Sequence, residues 1–504
     1  MDIRARSIVY NPTADELRTY ASAQKTVRPT EFGNLNVTTE VTARSKGSTF
    51  IVADDPSNHT DPTISRRAYQ ELAAAQDAFI EQGDMIVLDG YIGDHPEARV
   101  RTRLVVEQAN ANISAMQQLL YFRADDAAEP ELTVIYTPNL TAPGYPDDRV
   151  IAVDLEAGVT RVANSDYLGE SKMGGLRMWD ALMYRRGGLA MHSGLKVIEM
   201  GGRRRVGLIV GLSGTGKTTT TFSQQGKSSP VQDDFVALFP GGRVYGTEAG
   251  TFAKVYGLTR ETEPSIWHGV TQPRSYLENV AQDESGKLDF FDTTHTANGR
   301  AIISGEDIPG FLLPRHVSKA DFMLILNRNA NIIPAVAKLP REQAAAYFML
   351  GETQGTSAGG KAEAGKFLRV PGTNPFFSYR HEWQANRFRE LLDTCDLEVY
   401  LLNTGTVGGP GEDERSKKVT PETSSAIVAG IAAGSIDWEE DPDFGYLIAQ
   451  TAGVDDVHLL QPRRLYEAQG RLGEYREIVD TLKKDRSAHL ATYRDLQPEI
   501  AAAG

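Results

Sequence analysis

RVGLIVGLSGTGKTTTT, residues 205–221, decides how the rest of the chain is read. The apolar run ends at Val210, and the next eight residues fit G-x-x-x-x-G-K-[ST]. That order predicts a buried strand, a tight turn and a helix start. Gly211 and Gly216 let the backbone turn so that successive N–H groups point at phosphate oxygens. Lys217 then reaches the terminal phosphates, and the Thr218 hydroxyl suits a magnesium ion. The expected nucleotide contacts are Gly211, Leu212, Ser213, Gly214, Thr215, Gly216, Lys217, Thr218 and Thr219. A strand–loop–helix unit of this kind predicts an α/β fold.

A phosphate loop needs a carboxylate at another strand end to hold its metal. Asp233 and Asp234, in PVQDDF, follow Lys217 closely enough to occupy the next strand. Paired carboxylates there suit two cations, or one cation and a bound water.

Composition narrows the function further. The chain has 504 residues, 40% hydrophobic and 24% charged, which is enough for a large core and two domains. Its formal charge of −14 argues against a basic face for nucleic acid or anionic lipid. Cys395 is the single cysteine, which excludes a disulfide framework, a thiolate zinc cluster and a CxxC redox pair. MDIRARSIVYNPTADEL lacks an apolar core of signal-peptide length, and AIVAGIAAG at 426–434 is far too short for a membrane span. A soluble, cytoplasmic protein is expected.

Apolar spacing predicts helices over 66–82, 107–121, 172–185 and 463–492. Strands are expected at 48–52, 84–93, 98–107, 132–138, 321–327 and 397–405. The glycine- and alanine-rich piece 350–366 reads as a mobile surface loop.

Outward from the phosphate loop, further motifs stand in a recognisable order. MH at 191–192 precedes it. DD at 233–234, FAK at 252–254, ETEPSIW at 261–267, LENV at 277–280, TANGR at 296–300 and LLNTG at 401–405 follow. TARSKGSTFIV at 42–52 and YLGESKMGG at 167–175 complete the series. Together they resemble the ATP-dependent phosphoenolpyruvate carboxykinase family, over about residues 30 to 435.

The resemblance implies a reversible gluconeogenic reaction, in which oxaloacetate and ATP give phosphoenolpyruvate, ADP and carbon dioxide. It implies two α/β domains, an N-terminal substrate domain over 1–190 and a C-terminal phosphate-loop domain over 191–504. A cleft between them would close over substrate with 350–366 as its lid. By position in the motifs, Arg44 binds substrate carboxylate, and Tyr167 and Lys172 line the oxaloacetate site. Lys254 and Arg300 are cations on the transferring phosphoryl group, alongside Lys217. His192 and Asp234 match manganese ligands, Thr218 and Asp233 the magnesium side, Glu263 a ribose contact and Lys418 the purine-stacking position. ATP, Mg²⁺ and Mn²⁺ are the implied cofactors. The partners are small molecules only, and the protein is expected as a monomer or small homo-oligomer.

The sequence departs from the family pattern at Met173, where the family has a second lysine that ligates manganese. A thioether is a poor partner for a hard, oxygen-preferring ion. GGRRR at 201–205 reads as a basic insertion, and the lid segment matches in placement but not in detail. Two alternatives stay open: a related kinase with another phosphoryl acceptor, and a non-catalytic nucleotide-binding homologue.

Overall fold

A computed structural model describes residues 3–124, 128–212, 214–355 and 365–504. The chain folds into two compact units, both mixed α/β. One comprises residues 1–186, 245–315 and 376–380; the other comprises 187–244, 316–375 and 381–504. A single cut after residue 190 is therefore corrected. Residues 245–315 return to the first unit because their strands complete a sheet begun near the N-terminus. In that sheet Gly250–Lys254, Arg300–Ser304, Tyr276–Glu278, Leu35–Val37 and Val27–Pro29 lie side by side. Tyr276–Glu278 runs parallel to Leu35–Val37, a pairing of distant segments that local sequence does not announce.

The first unit also holds a larger sheet built on Asp84–Ile92, Val100–Glu107 and Leu132–Thr137, with Val159–Ala163, Val150–Asp154 and Thr49–Val52 beyond. These strands are rich in Val and Ile and buried along nearly their whole length. Helices Arg66–Glu81, Ala111–Leu120 and Leu168–Arg185 pack on this sheet. Ala111–Leu120 also packs on Arg300–Ser304 and Gly250–Lys254, which explains why it is buried almost all round.

In the second unit the sheet order runs Phe235–Phe239, Leu189–Met200, Arg203–Val210, Phe322–Asn327, Glu398–Asn403 and Val336–Leu339. Arg203–Val210, Phe322–Asn327 and Glu398–Asn403 are parallel. The phosphate loop leaves the carboxyl end of the first of them, where open α/β sheets bind ligands. Helix Pro421–Ala433 covers the sheet through Ile427, Val428 and Ile431, so AIVAGIAAG is core. Among the described residues no helix is long and apolar enough to cross a membrane.

Two local expectations change. The basic insertion is a β-hairpin, in which Met200 pairs with Arg203 across a two-residue turn at Gly201–Gly202. Both glycines have positive φ, as the tight turns that suit strand twist require. The helix expected over 463–492 is two helices, Pro462–Ala468 and Leu472–Leu490, parted at Gly470.

Helix Leu472–Leu490 anchors the segment read as a lid. The base of that segment is a strand pair, Glu352–Gln354 with Phe367–Arg369; residues 356–364 lie outside the described residues. Arg486 is buried and donates to Glu352 Oε2 at 2.8 and 3.0 Å and to the Tyr347 hydroxyl at 2.8 Å. Arg369 donates to the other Glu352 oxygen at 2.8 Å. Removing one partner of such a pair strands a buried charge. Arg486→Met is expected to destabilise the second unit by about 3–5 kcal/mol, read as a lowered urea midpoint.

Candidate active site

The second unit builds one cluster around strand Leu189–Met200. On one side Ser193 pairs with Val210, the last residue before the phosphate loop. On the other, His192 pairs with Phe235, the residue after the aspartates. Register alone therefore sets His192 beside Asp234 and both beside the loop.

A Cβ at Gly211 would stand 2.4 Å from Thr215 Oγ1 and 2.9 Å from Leu326 Cβ, so the loop's first position has no room for a side chain. Gly214 and Gly216 are left-handed, with φ of 84° and 98°. Leu212 offers its carbonyl to the Thr215 N–H at 3.1 Å and to the Thr215 hydroxyl at 2.8 Å, closing the turn. Ser213 lies outside the described residues. Helix Lys217–Phe222 follows and contains Thr218 and Thr219. Lys217 donates to the Asp233 carbonyl, and its Nζ stands 3.6 Å from Asp233 Oδ1. The Thr218 hydroxyl donates to Asp233 Oδ2 at 3.2 Å.

His192 Nε2 lies 3.0 Å from Asp234 Oδ1, and its Nδ1 faces the Thr373 carbonyl at 3.4 Å. The Thr373 carbonyl and the Asp234 carboxylate both only accept, so a neutral ring, with one N–H, donates to one of them at a time. The other ring nitrogen then turns its lone pair toward an acceptor oxygen. Burial, followed by the Lys217 ammonium, holds His192 below the usual imidazole value and opposes the doubly protonated ring. An imidazole nitrogen and a carboxylate oxygen are also donor types that a divalent ion accepts. Two ligands about 2.1 Å from one ion at a right angle stand about 3 Å apart. The Thr373 contact orients the imidazole as outer-shell partners of metal ligands do. Among the described residues no three His, Cys, Asp or Glu side chains form one metal-binding group.

The first unit gathers cations. Lys254 and Arg300 are direct cross-strand partners on antiparallel strands. Like charges at such positions repel, and the chain offsets this with aromatic faces and hydrogen bonds. Arg300 lies 5.0 Å from the centre of the Phe252 ring, and Lys172 Nζ lies 5.2 Å from it. Arg300 donates to Asn298 Oδ1 at 2.9 Å, and Asn298 donates to the Tyr167 hydroxyl at 3.3 Å. Lys172 is buried against Glu248, with Nζ–O distances of 3.0 and 3.1 Å. Glu278 pairs with Arg300 in register and is fully buried. Burial pushes its carboxyl up to about 8, although it accepts the Leu168 N–H at 2.9 Å.

Four sequence-predicted residues are thus brought together here: Tyr167, Lys172, Lys254 and Arg300. Arg44, in the same unit, lies with its guanidinium 4.5 Å from the Phe376 ring centre. Met173 is buried on helix Leu168–Arg185. Glu263 stands at the entry of helix Pro264–Val270 in the first unit. Lys418 is exposed on a two-stranded ribbon of the second. Phe252, Asn298 and Glu278 were missed as site residues, although FAK, TANGR and LENV contain them. Their signal was position inside a motif, beside a charged residue.

The sequence profile of the phosphoenolpyruvate carboxykinase family matches residues 6–457. The chain belongs to this family. It is similar to phosphoenolpyruvate carboxykinase (ATP) of Aeropyrum pernix, 31% identical over 409 residues and 78% of each chain. It is 28% identical to the protein of that name from Alkaliphilus oremlandii, over 99% of this chain and 96% of that relative. A third, from Caldanaerobacter subterraneus subsp. tengcongensis, is 29% identical over 94% and 92% respectively. The chain is therefore an enzyme of the ATP-dependent carboxykinase class, and both clusters lie inside the matched region.

Burial, and then Arg300, pull the Lys254 ammonium down to about 8. The cation exists below that value and is lost above it. kcat/KM is expected to fall as pH rises through about 8. Lys254→Arg, which stays charged, is expected to hold the plateau to higher pH.

Proposed function

We propose that the chain interconverts oxaloacetate plus ATP with phosphoenolpyruvate, ADP and carbon dioxide, in the gluconeogenic direction or its reverse. The observation that carries this reading is the family match, which spans both the phosphate-loop cluster and the cation cluster.

The chemistry asks for three things, and the residues present suit each. Decarboxylation leaves an enolate whose oxygen attacks the γ-phosphorus. Arg44 would hold a substrate carboxylate through its planar fork. Tyr167 would line the oxaloacetate site, with Lys172 fixed beside it by Glu248. Lys254 and Arg300 would face the equatorial phosphoryl oxygens, where negative charge spreads during transfer. Phe252 lies against Arg300 without neutralising it, a preorganisation that favours charge developing later.

On the nucleotide side, Lys217 and the backbone of Gly211–Thr219 would cradle the phosphates. Glu263 would contact the ribose, and Lys418 would lie against the purine. His192 and Asp234 would hold a Mn²⁺ ion, and Thr218 and Asp233 a Mg²⁺ ion. Such ions supply positive charge to the enolate oxygen and to the phosphates. Neutral His192 and anionic Asp234 are the donor types that such a site requires.

The test is direct. The purified protein with oxaloacetate, ATP, Mn²⁺ and Mg²⁺ is expected to release phosphoenolpyruvate and ADP in equal amounts. ADP without phosphoenolpyruvate would instead indicate another acceptor, and no turnover with any metal a non-catalytic homologue. Met173→Lys is expected to tighten Mn²⁺ binding about tenfold by titration calorimetry. An unchanged affinity would remove position 173 from the metal's surroundings.

A further inference from the structure

Helix Leu168–Arg185 buries a guanidinium that the roles above leave unused. Arg177 is 3% exposed, and its Nε and Nη1 are buried without a hydrogen-bond partner. Its ion-pair partner is Glu170, about two turns back on the same helix, with Oε2 4.0 Å from Nη1. Glu170 is already engaged, because its Oε1 accepts the Ser45 N–H at 2.6 Å.

Arg44 shares this neighbourhood. The Phe376 ring centre is 4.5 Å from the Arg44 guanidinium and 5.8 Å from that of Arg177. Arg44 loses proton affinity first to burial and then to Arg177, so the two cations feel each other. Arg44 also lines an open cavity of about 610 Å³, together with Ser45 and Arg149. Arg149 donates to Ser45 Oγ at 3.2 Å and stands 3.9 Å from Asp147, which lines the same cavity.

An arginine that only braces a helix spends its donors on fixed acceptors. Arg161, in the same unit, does so with both terminal nitrogens, to Gln76 at 3.0 Å and Asp77 at 2.7 and 3.3 Å, and leaves only Nε bare. Arg177 does not. Two guanidiniums facing one engaged carboxylate, with buried N–H groups unpaired, form a cluster that an incoming anion completes.

We infer that Arg177 is a second carboxylate-binding residue, which with Arg44 holds one carboxylate of a small 2-oxo dicarboxylic acid beside Phe376. The inference rests on the reaction proposed above and adds a residue to its substrate site. In the full-length protein, Arg177→Gln is expected to weaken oxalate binding at least tenfold by calorimetry. KM for oxaloacetate should rise by a similar factor while KM for ATP stays unchanged.

Glu170→Gln removes the competing charge and is expected to tighten oxalate severalfold. A folded Arg177→Gln protein that binds oxalate within twofold of wild type would overturn the inference. So would a Glu170→Gln protein that melts lower and binds oxalate more weakly, the behaviour of a purely structural ion pair. If Arg177→Gln does not fold, Glu170→Gln and Arg177→Lys decide the question, the lysine variant being expected to bind oxalate weakly but measurably. Wild type that makes no phosphoenolpyruvate, while oxalate responds to these variants as expected, would refute the reaction and leave the anion site standing.

Discussion

The register of strand Leu189–Met200 is the constraint on which the nucleotide half of the chain depends. It pairs Ser193 with Val210 on one edge and His192 with Phe235 on the other. A slip of one residue would turn every side chain to the opposite face. His192 would leave Asp234, and the aspartates would leave Lys217 and Thr218. The Ser193 N–H locks this arrangement by donating to the Asp234 carbonyl at 2.8 Å.

The first unit solves a different problem, which is how to keep cations close without cancelling them. Carboxylates could neutralise Lys254, Arg300 and Arg44, but a neutral cluster would attract no anion. Aromatic faces do much of the work instead, Phe252 for Arg300 and Phe376 for Arg44 and Arg177, while Lys172 also carries the Glu248 carboxylate. Cation–π attraction is modest and leaves the charge available to a ligand. Glu278, buried beside Arg300 with its carboxyl pushed up to about 8, fits the same logic. It supplies an acceptor for the Leu168 N–H with little tendency to add negative charge.

Much of the site was legible because phosphate chemistry imposes residue types at fixed spacing. The loop at 211–219 and the pair Asp233–Asp234 were readable in this way. Arg44, Tyr167, Lys254 and Arg300 were readable only as members of a motif series. Arg177 was invisible, since one arginine in GLRMWDALMY looks like any charged residue on a helix. Only its burial and its bare N–H groups set it apart. Met173 shows the converse case, a departure visible in sequence whose consequence depends on neighbours that sequence does not name.

By itself the sequence determined the α/β character, the phosphate loop and most strand and helix positions, because these follow from periodicity and local turn chemistry over a few residues. It also excluded a disulfide scaffold, for want of a second cysteine. Only the tertiary structure decided that residues 245–315 belong with the N-terminal unit. The same holds for His192 facing Asp234, for Phe252 carrying two cations and for the division of residues 463–492 into two helices. The physical reason is common to the first three. They are pairings between segments far apart in the chain, fixed by sheet register and burial, and no short window of residues contains both partners.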